Sequence, residues 1–513
     1  MIEIKEYSGH IRNHKALCSE LGLSDSLSRQ EREKEIIIKG YEKWGYALPN
    51  HIYGMFAFVL FDSDKNEYIL FRDQFGTVPM YYYETSDGKL LFGCQIRDIL
   101  KQNGFVKNLN EKMLQIYLTM TYTTGEETFF EGIYKLMPGR YMVWNSGKKE
   151  TVRYWKPEFR PDTSKTLEEW ADELHDTVKK VMLEVKDEDE YVESFLSGGV
   201  DSSYVLAMSD APACNSVGYN DERLDESCLA EKTARILGKK FNRCLIEPED
   251  YFGAVRYVME NMEQPLGDAS AVAFALGCIA TAKNTKICYS GEGADEFFGG
   301  YNMYRNAERY GDNLKTFYVG NTNIMKEEEK QKILKKYDPD FLPINLVKDI
   351  YEENEGLDPL SKMSDVDIQV WLEGDIYLNV DKMSKAAVLE VRMPLTDLRI
   401  FDIASRMPSE FKVNSVDEHN KLALRKAASG VLPEEIAYRK KLGFVVPIRM
   451  WMADERYNGD VRRLFDSKIA EKFFNTDEIK AVFDEYIDGN SDNWRKVYVI
   501  YTFLLWYEIY FGE

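Results

Sequence analysis

Residues Tyr191-Val192-Glu193-Ser194-Phe195-Leu196-Ser197-Gly198-Gly199-Val200-Asp201-Ser202-Ser203 run from a short, largely apolar strand through a glycine pair into the start of a helix. The glycines let the backbone come close to a ligand. The hydroxyls and the free N–H groups of the helix start face an anion. This is not the nucleotide loop that ends in Gly-Lys-Ser/Thr, because no lysine follows at that spacing. Asp201 within a phosphate-binding turn makes sense only with a cation between its carboxylate and the phosphates. An ordinary Gly-rich turn with a capping serine is the plainer alternative, and the full seven-residue run from Ser197 to Ser203, set behind a buried strand, favours the anion site.

Around this turn the period is that of alternating strands and helices. Residues 167–186 read as an amphipathic helix, 215–219 as a strand, 226–237 as a helix and 285–290 as a third strand. Such alternation predicts a parallel sheet covered on both faces. From about residue 360 onward the chain reads as mostly helical. The N-terminal part reads differently: residues 54–61 and 68–72 flank the turn Asp62-Ser63-Asp64-Lys65-Asn66, and 80–83 and 90–93 flank Ser86-Asp87-Gly88. These are antiparallel hairpins, with helices expected at 31–44 and 111–117. The segment closes on strands at 141–144 and 151–155. Residues 156–166, with Pro157, Pro161 and Ser164, suit a linker. The expected domains are therefore 1–157 and 165–513.

Composition narrows the classes. The chain has 513 residues, 44% hydrophobic, enough for several cores. Its charge, 66 − 87 = −21, repels phosphate backbones and argues against a nucleic-acid binder. Seven scattered cysteines form no C-x-x-C pair and no zinc pattern, as expected of reduced thiols in a cytoplasmic protein. The N-terminus shows no apolar signal region, and no window of 18 apolar residues suggests a membrane span.

The serine–glycine turn resembles the ATP pyrophosphatase loop, in the form found in the asparagine synthetase family. Ser290-Gly291-Glu292-Gly293-Ala294-Asp295-Glu296-Phe297-Phe298-Gly299-Gly300-Tyr301 is similar to the family's second nucleotide motif. Gly374-Asp375-Ile376, Asp381-Lys382-Met383-Ser384 and Leu389-Glu390-Val391-Arg392-Met393-Pro394 resemble its substrate region, and Arg439-Lys440-Lys441-Leu442-Gly443-Phe444 its late catalytic segment. The resemblance implies a parallel-sheet domain of the adenine nucleotide alpha-hydrolase type with a helical C-terminal part. It implies ATP and Mg²⁺ as cofactors. Leu196, Ser197, Val217 and Gly291 would line adenosine, and Ser197, Gly199, Asp201, Ser202 and Ser203 would hold pyrophosphate, with Gly198 and Ser290 in the same nucleotide set. Asp201 and Asp295 would bind Mg²⁺. Glu292 would act beside the attacking amine, and Lys441 would stabilise charge on the phosphates. The implied reaction is adenylation of a carboxylate, aspartate first among them, followed by transfer to ammonia or an amine.

The first half resembles the same family's glutamine amidotransferase domain, an α/β/β/α sandwich of the N-terminal-nucleophile type. The matching stretches are Gly54-Met55-Phe56-Ala57-Phe58, Arg72-Asp73-Gln74-Phe75-Gly76 and Leu136-Met137-Pro138-Gly139. In that domain the nucleophile is a cysteine at encoded position 2, where this chain has Ile2. Tyr7-Ser8-Gly9-His10-Ile11-Arg12-Asn13 stands where the family has Phe-Asn-Gly-Glu-Ile-Tyr-Asn, so Ser8 replaces an oxyanion-hole Asn. Arg32-Glu33-Lys34-Glu35 replaces Ser-Asp-Thr-Glu, whose Asp would hold the glutamine amine. The expectation is a truncated domain without glutaminase activity, with ammonia taken free or from a separate glutaminase. Family relatives are often homodimers. Beta-lactam synthetase and lasso-peptide cyclase, relatives whose nucleophile is an amine already on the substrate, are the alternative. Leu395-Thr396-Asp397 in place of Phe-Leu-Asp, and Leu378-Asn379-Val380 in place of Leu-Lys-Ala, favour it.

Overall fold

In β2 (Gly54–Asp62) nearly every residue is buried, because the strand is covered on both faces. Phe56, Phe58 and Leu60 pack under the helices His14–Leu21 and Arg29–Trp44. Met55, Ala57 and Val59 face the other way and join a core with Met80 and Tyr82 of the second sheet region. The computed structural model describes residues 1–512 except 25, 187–189, 222, 415–418 and 441–442. β1 (Ile2–Ile11), β2, β3 (Glu67–Arg72), β7 (Arg140–Asn145) and β8 (Lys148–Arg153) form one antiparallel sheet, in the order β1-β2-β3-β7-β8. β4 (Tyr81–Glu84), β5 (Leu90–Gly93) and β6 (Tyr134–Lys135) form the second, and the helices Ile96–Leu100 and Met113–Met120 share a core with its outer face through Tyr81 and Leu91. The layers are α/β/β/α, as expected.

The second half carries the parallel sheet. β9 (Val192–Phe195), β10 (Ala213–Gly218), β11 (Lys240–Leu245), β12 (Ile287–Tyr289) and β13 (Glu390–Arg392) lie in the order β11-β10-β9-β12-β13. All four pairings are parallel. The strand order reverses between β9 and β12. In open parallel sheets a ligand sits at such a switch point, outside the carboxyl ends of the strands.

Among the strands not read from the sequence are β1, β11 and β13. β1 alternates Ile-Glu-Ile-Lys-Glu and is only half covered; β11 is an edge strand with three of its six residues polar or charged; β13 is three residues long inside a motif. The helix at Leu167–Val185 starts on a Thr166/Glu169 capping box.

The two halves share interior rather than touching at a polar seam. Phe75 packs on Phe297 and Phe401, with ring centroids 5.3 and 5.6 Å apart. Arg72 and Lys135 of the first half both pair with Glu373 of the second, at 2.8 and 2.7 Å, and all three are fully buried. All seven cysteines are free. Among the described residues no helix is long and apolar enough to cross a membrane.

Candidate active site

The turn after β9 and the turn after β12 meet above the switch point. Gly198 has φ +85°, a left-handed conformation that glycine adopts without strain, and it reverses the chain into the helix Val200–Met208. Inside the turn Ser202 Oγ accepts from Ser197 N–H at 3.1 Å, and Ser197 Oγ accepts from Gly199 N–H at 3.3 Å. No side chain caps the helix, so its first amides stay available. The helix Ala294–Phe298 begins in the same way after β12 and carries Asp295 in its first turn.

Between them opens a cleft of about 450 Å³. Leu196, Ser197, Gly199, Asp201, Ser202, Val217, Ser290, Gly291, Glu292 and Asp295 all line it. Of the residues singled out in the sequence, Gly198 turns beneath the cleft, and Ser203 is fully buried with its hydroxyl unpartnered. Lys441 and Leu442 lie outside the described residues; Gly443, Phe444 and Val445, which follow them, line the cleft. Ser290 Oγ donates to Glu292 Oε1 at 3.2 Å. Asp268, Tyr301, Trp371 and Asn379 also line the cleft.

Three cations around the turn were given no role from the sequence, and two of them, Lys421 and Arg425, were not singled out at all. Lys421, 2% exposed, places its ammonium 2.5 Å from Asp201 Oδ2 and 2.8 Å from Asp295 Oδ1. Arg439 donates to the carbonyl of Gly198 at 2.9 Å and fastens the turn from behind. Arg425 in turn donates to the carbonyls of Asn420, Ala437 and Arg439 at 2.7–2.9 Å, tying the Lys421 and Arg439 segments together. On the far side of the turn these groups open a smaller pocket of about 180 Å³, lined by Arg305, His419, Lys421, Arg425 and Lys440 and sharing Gly199 and Asp201 with the main cleft. Gly300 has no room for a side chain there: a Cβ would fall 1.9 Å from Asp295 Oδ1 and 2.2 Å from Lys421 Cε.

Two buried carboxyl groups lie behind the residues that line the cleft. Glu296 is buried; burial and the neighbouring Asp295 raise its carboxyl to about 8. It accepts from Tyr301 Oη at 2.6 Å, and Tyr301 Oη accepts from Trp371 Nε1 at 3.1 Å. Trp371 lies on a π-helical stretch, Asp367–Ile376, of the kind that often marks functional sites. On the same stretch Asp375 is wholly buried and neither carboxylate oxygen has a partner; burial, then the charge of Asp268, drives its carboxyl well up.

A model of the family described as asparagine synthase matches residues 169–508. The chain belongs to the asparagine synthase family. It is therefore an ATP-dependent carbon–nitrogen ligase. A second model, described as a glutamine amidotransferase domain, matches residues 4–155. The chain is 29% identical to asparagine synthetase [glutamine-hydrolyzing] 1 of Bacillus subtilis, over 98% of its own length and 85% of that protein. It is 27% identical to a putative asparagine synthetase [glutamine-hydrolyzing] of Mycobacterium tuberculosis, over 98% of this chain and 84% of that protein. Amidase chry2 of Gibberella zeae is 29% identical over 53% of this chain and 43% of its own length.

Proposed function

We propose that this protein adenylates aspartate and converts it to asparagine with ammonia, without hydrolysing glutamine itself. A carboxylate oxygen of aspartate attacks the α-phosphorus of ATP, the bond to the β-phosphate oxygen breaks, and pyrophosphate leaves. The nitrogen of ammonia then attacks the acyl carbon and AMP departs. The amino group sheds its proton to Glu292, the carboxylate of the cleft suited to receive it. Residues 1–157 and 165–513 are the two domains of this reading.

The observation that carries it is the gathering of both nucleotide turns and Glu292 around one cleft at the switch point, with two carboxylates facing a single cation. Asp201 and Asp295 fit Mg²⁺: they are hard oxygen donors brought to one point, and Asp201 Oδ1 has no partner of its own. Bound there, Mg²⁺ would neutralise the triphosphate and the departing pyrophosphate. Lys421 and the basic pocket behind the turn suit the negative charge that develops as pyrophosphate leaves. Lys441 remains assigned to the same task by resemblance.

The glutaminase reading is disfavoured by the state of Glu33. Its Oε1 accepts from Ile11 N–H at 3.0 Å and from Arg29 Nε at 3.3 Å, and its Oε2 accepts from Tyr7 Oη at 2.9 Å. The side chain is 3% exposed, which leaves no room for a ligand's amine. Ammonia would come free or from a separate glutaminase. Asn379 in the cleft, where the family has lysine, favours as second reading a ligase that closes an amide within a larger carboxylate substrate.

The test is pyrophosphate release with ATP and Mg²⁺, offering aspartate with ammonium, aspartate with glutamine, or neither, with Asp201→Ala as the blank. Release that needs aspartate and ammonium supports the proposal. Release with glutamine in place of ammonium overturns the claim about the N-terminal half, and no response to aspartate overturns the substrate.

A further inference from the structure

One arginine of the N-terminal half reaches to within one residue of the synthetase cleft. Arg12 follows β1 and is 4% exposed. Its guanidinium donates to the carbonyl oxygen of Thr396 at 2.8 Å and of Pro394 at 3.4 Å, and pairs with Asp397 at 3.2 Å. Thr396 is 2% exposed. Its hydroxyl donates to the backbone carbonyl of Glu292 at 3.0 Å. A hydroxyl has one hydrogen to give, so Tyr377, whose Oη lies 2.9 Å from Thr396 Oγ1, is the donor in that contact. Arg12 thus holds the backbone of residue 396, and residue 396 holds the backbone of residue 292. Asp295 stands one turn further on.

Both links depend on residues where this chain leaves the pattern it otherwise resembles. Arg12 stands where that pattern has tyrosine, and Thr396 where it has leucine. Tyrosine has one donor, against the three contacts that Arg12 makes here, and leucine has none. Arg12 meets the backbone carbonyl of residue 396, 384 residues away, and the threonine hydroxyl makes the next link, to Glu292. Arg12 also suits the task physically. A planar guanidinium can fork onto two carbonyls and a carboxylate at once, and as a buried charge it is satisfied by all three. Against the pull of burial, Arg12 and Arg399 together keep Asp397 below the usual carboxylate range, so the pair stays ionised.

We propose that Arg12 is a positioning residue for the ligase reaction. Through Thr396 it fixes the backbone at Glu292, so the N-terminal half serves the synthetase site directly. The inference rests on the reading of Glu292 given above. A general acid–base group must be held within a fraction of an ångström of its working place, and small displacements are expensive in rate.

The test uses the full chain and the variants Thr396→Val, Arg12→Lys and Arg12→Met. Two quantities are read. One is steady-state pyrophosphate release with aspartate, ammonium, ATP and Mg²⁺. The other is amide hydrogen exchange of residues 290–298 in substrate-free protein. Thr396→Val keeps shape and removes the donor. It should lower kcat by about 10-fold or more, leave the KM for ATP within about twofold, and speed exchange in 290–298 but not in 240–245. Arg12→Lys keeps the pairing with Asp397 without the fork, and should retain the melting temperature while losing kcat. Arg12→Met should show both losses. Unchanged exchange at 290–298 in Thr396→Val and Arg12→Lys would overturn the proposal. So would a rise spread evenly along the chain, which marks general loosening. If the wild type ignores aspartate, the substrate reading fails, and the exchange data still decide the role of Arg12.

Discussion

Lys421 bridges Asp201 and Asp295, with its ammonium 2.5 Å from one carboxylate and 2.8 Å from the other. The two aspartates come from the two turns that build the cleft, and the lysine comes from a segment more than 120 residues beyond either. In the ligand-free protein it offsets the repulsion between two close carboxylates. With nucleotide bound, a lysine at this point faces the phosphates, where positive charge favours the departure of pyrophosphate. Lys421→Met should reduce pyrophosphate release at saturating substrate by about 100-fold or more. Gly300→Ala should do the same by displacing the pair. A rate within threefold of wild type for Lys421→Met would show that the bridge is only structural.

No glutamate should form when the protein is incubated with glutamine, with or without ATP and aspartate. The Glu33 carboxylate is occupied by Ile11, Tyr7 and Arg29, and Arg29 continues to Glu390 at 2.9 Å on the last strand of the parallel sheet. Glutamate release above a protein-free blank, read by a coupled dehydrogenase assay, would show that this network opens.

The sequence made the two nucleotide turns legible because each is a local event, a strand ending in glycines and a helix beginning with polar residues. Asp201 could be picked out on that ground, and Glu292 and Asp295 through resemblance to the family's second nucleotide motif. Lys421 could not. Its neighbours, His419-Asn420-Lys421-Leu422, look like any helix start, and its role arises from a contact across 220 residues. The one local oddity, a non-glycine residue at φ +60°, is a feature of the backbone and is invisible in the sequence. Arg12 is similar: as a residue it reads as an ordinary surface charge, and only the packing of the halves buries it. The same holds for β13, whose three residues become a strand by pairing with β12.

Glu373 should prove more important to stability than any exposed ion pair. Burial alone would raise its carboxyl, but Lys135 and then Arg72 overcome that and hold it below its usual range. Glu373→Ala leaves two buried cations without a partner. A loss of about 3–5 kcal/mol is expected, and because the cations belong to one half and the acid to the other, both halves should lose stability together. Chemical denaturation followed by fluorescence would show this as one transition shifted to lower denaturant. Two separated transitions, with only one of them moved, would mean that the shared core does not couple the halves.

Asp367 offers a pH dependence of definite sign. It is wholly buried and accepts from the hydroxyls of Tyr304 and Tyr318; burial raises its carboxyl to about 7 despite those donors. In the unfolded chain it titrates near pH 4. Between these values the folded protein keeps a proton that the unfolded chain releases, so the contribution to stability is full below about pH 4 and is lost as pH rises toward 7. Other buried carboxylates, Glu263 and Asp397 among them, are held low by their cations and act in the opposite sense. They are unchanged in Asp367→Asn and cancel in the difference between the two proteins. Wild type minus Asp367→Asn should therefore fall by up to about 4 kcal/mol between pH 4 and pH 7.5 and then level off. Urea unfolding of both proteins at four or five pH values measures it, and a difference independent of pH would mean that Asp367 is ionised throughout, its two tyrosine donors outweighing its burial.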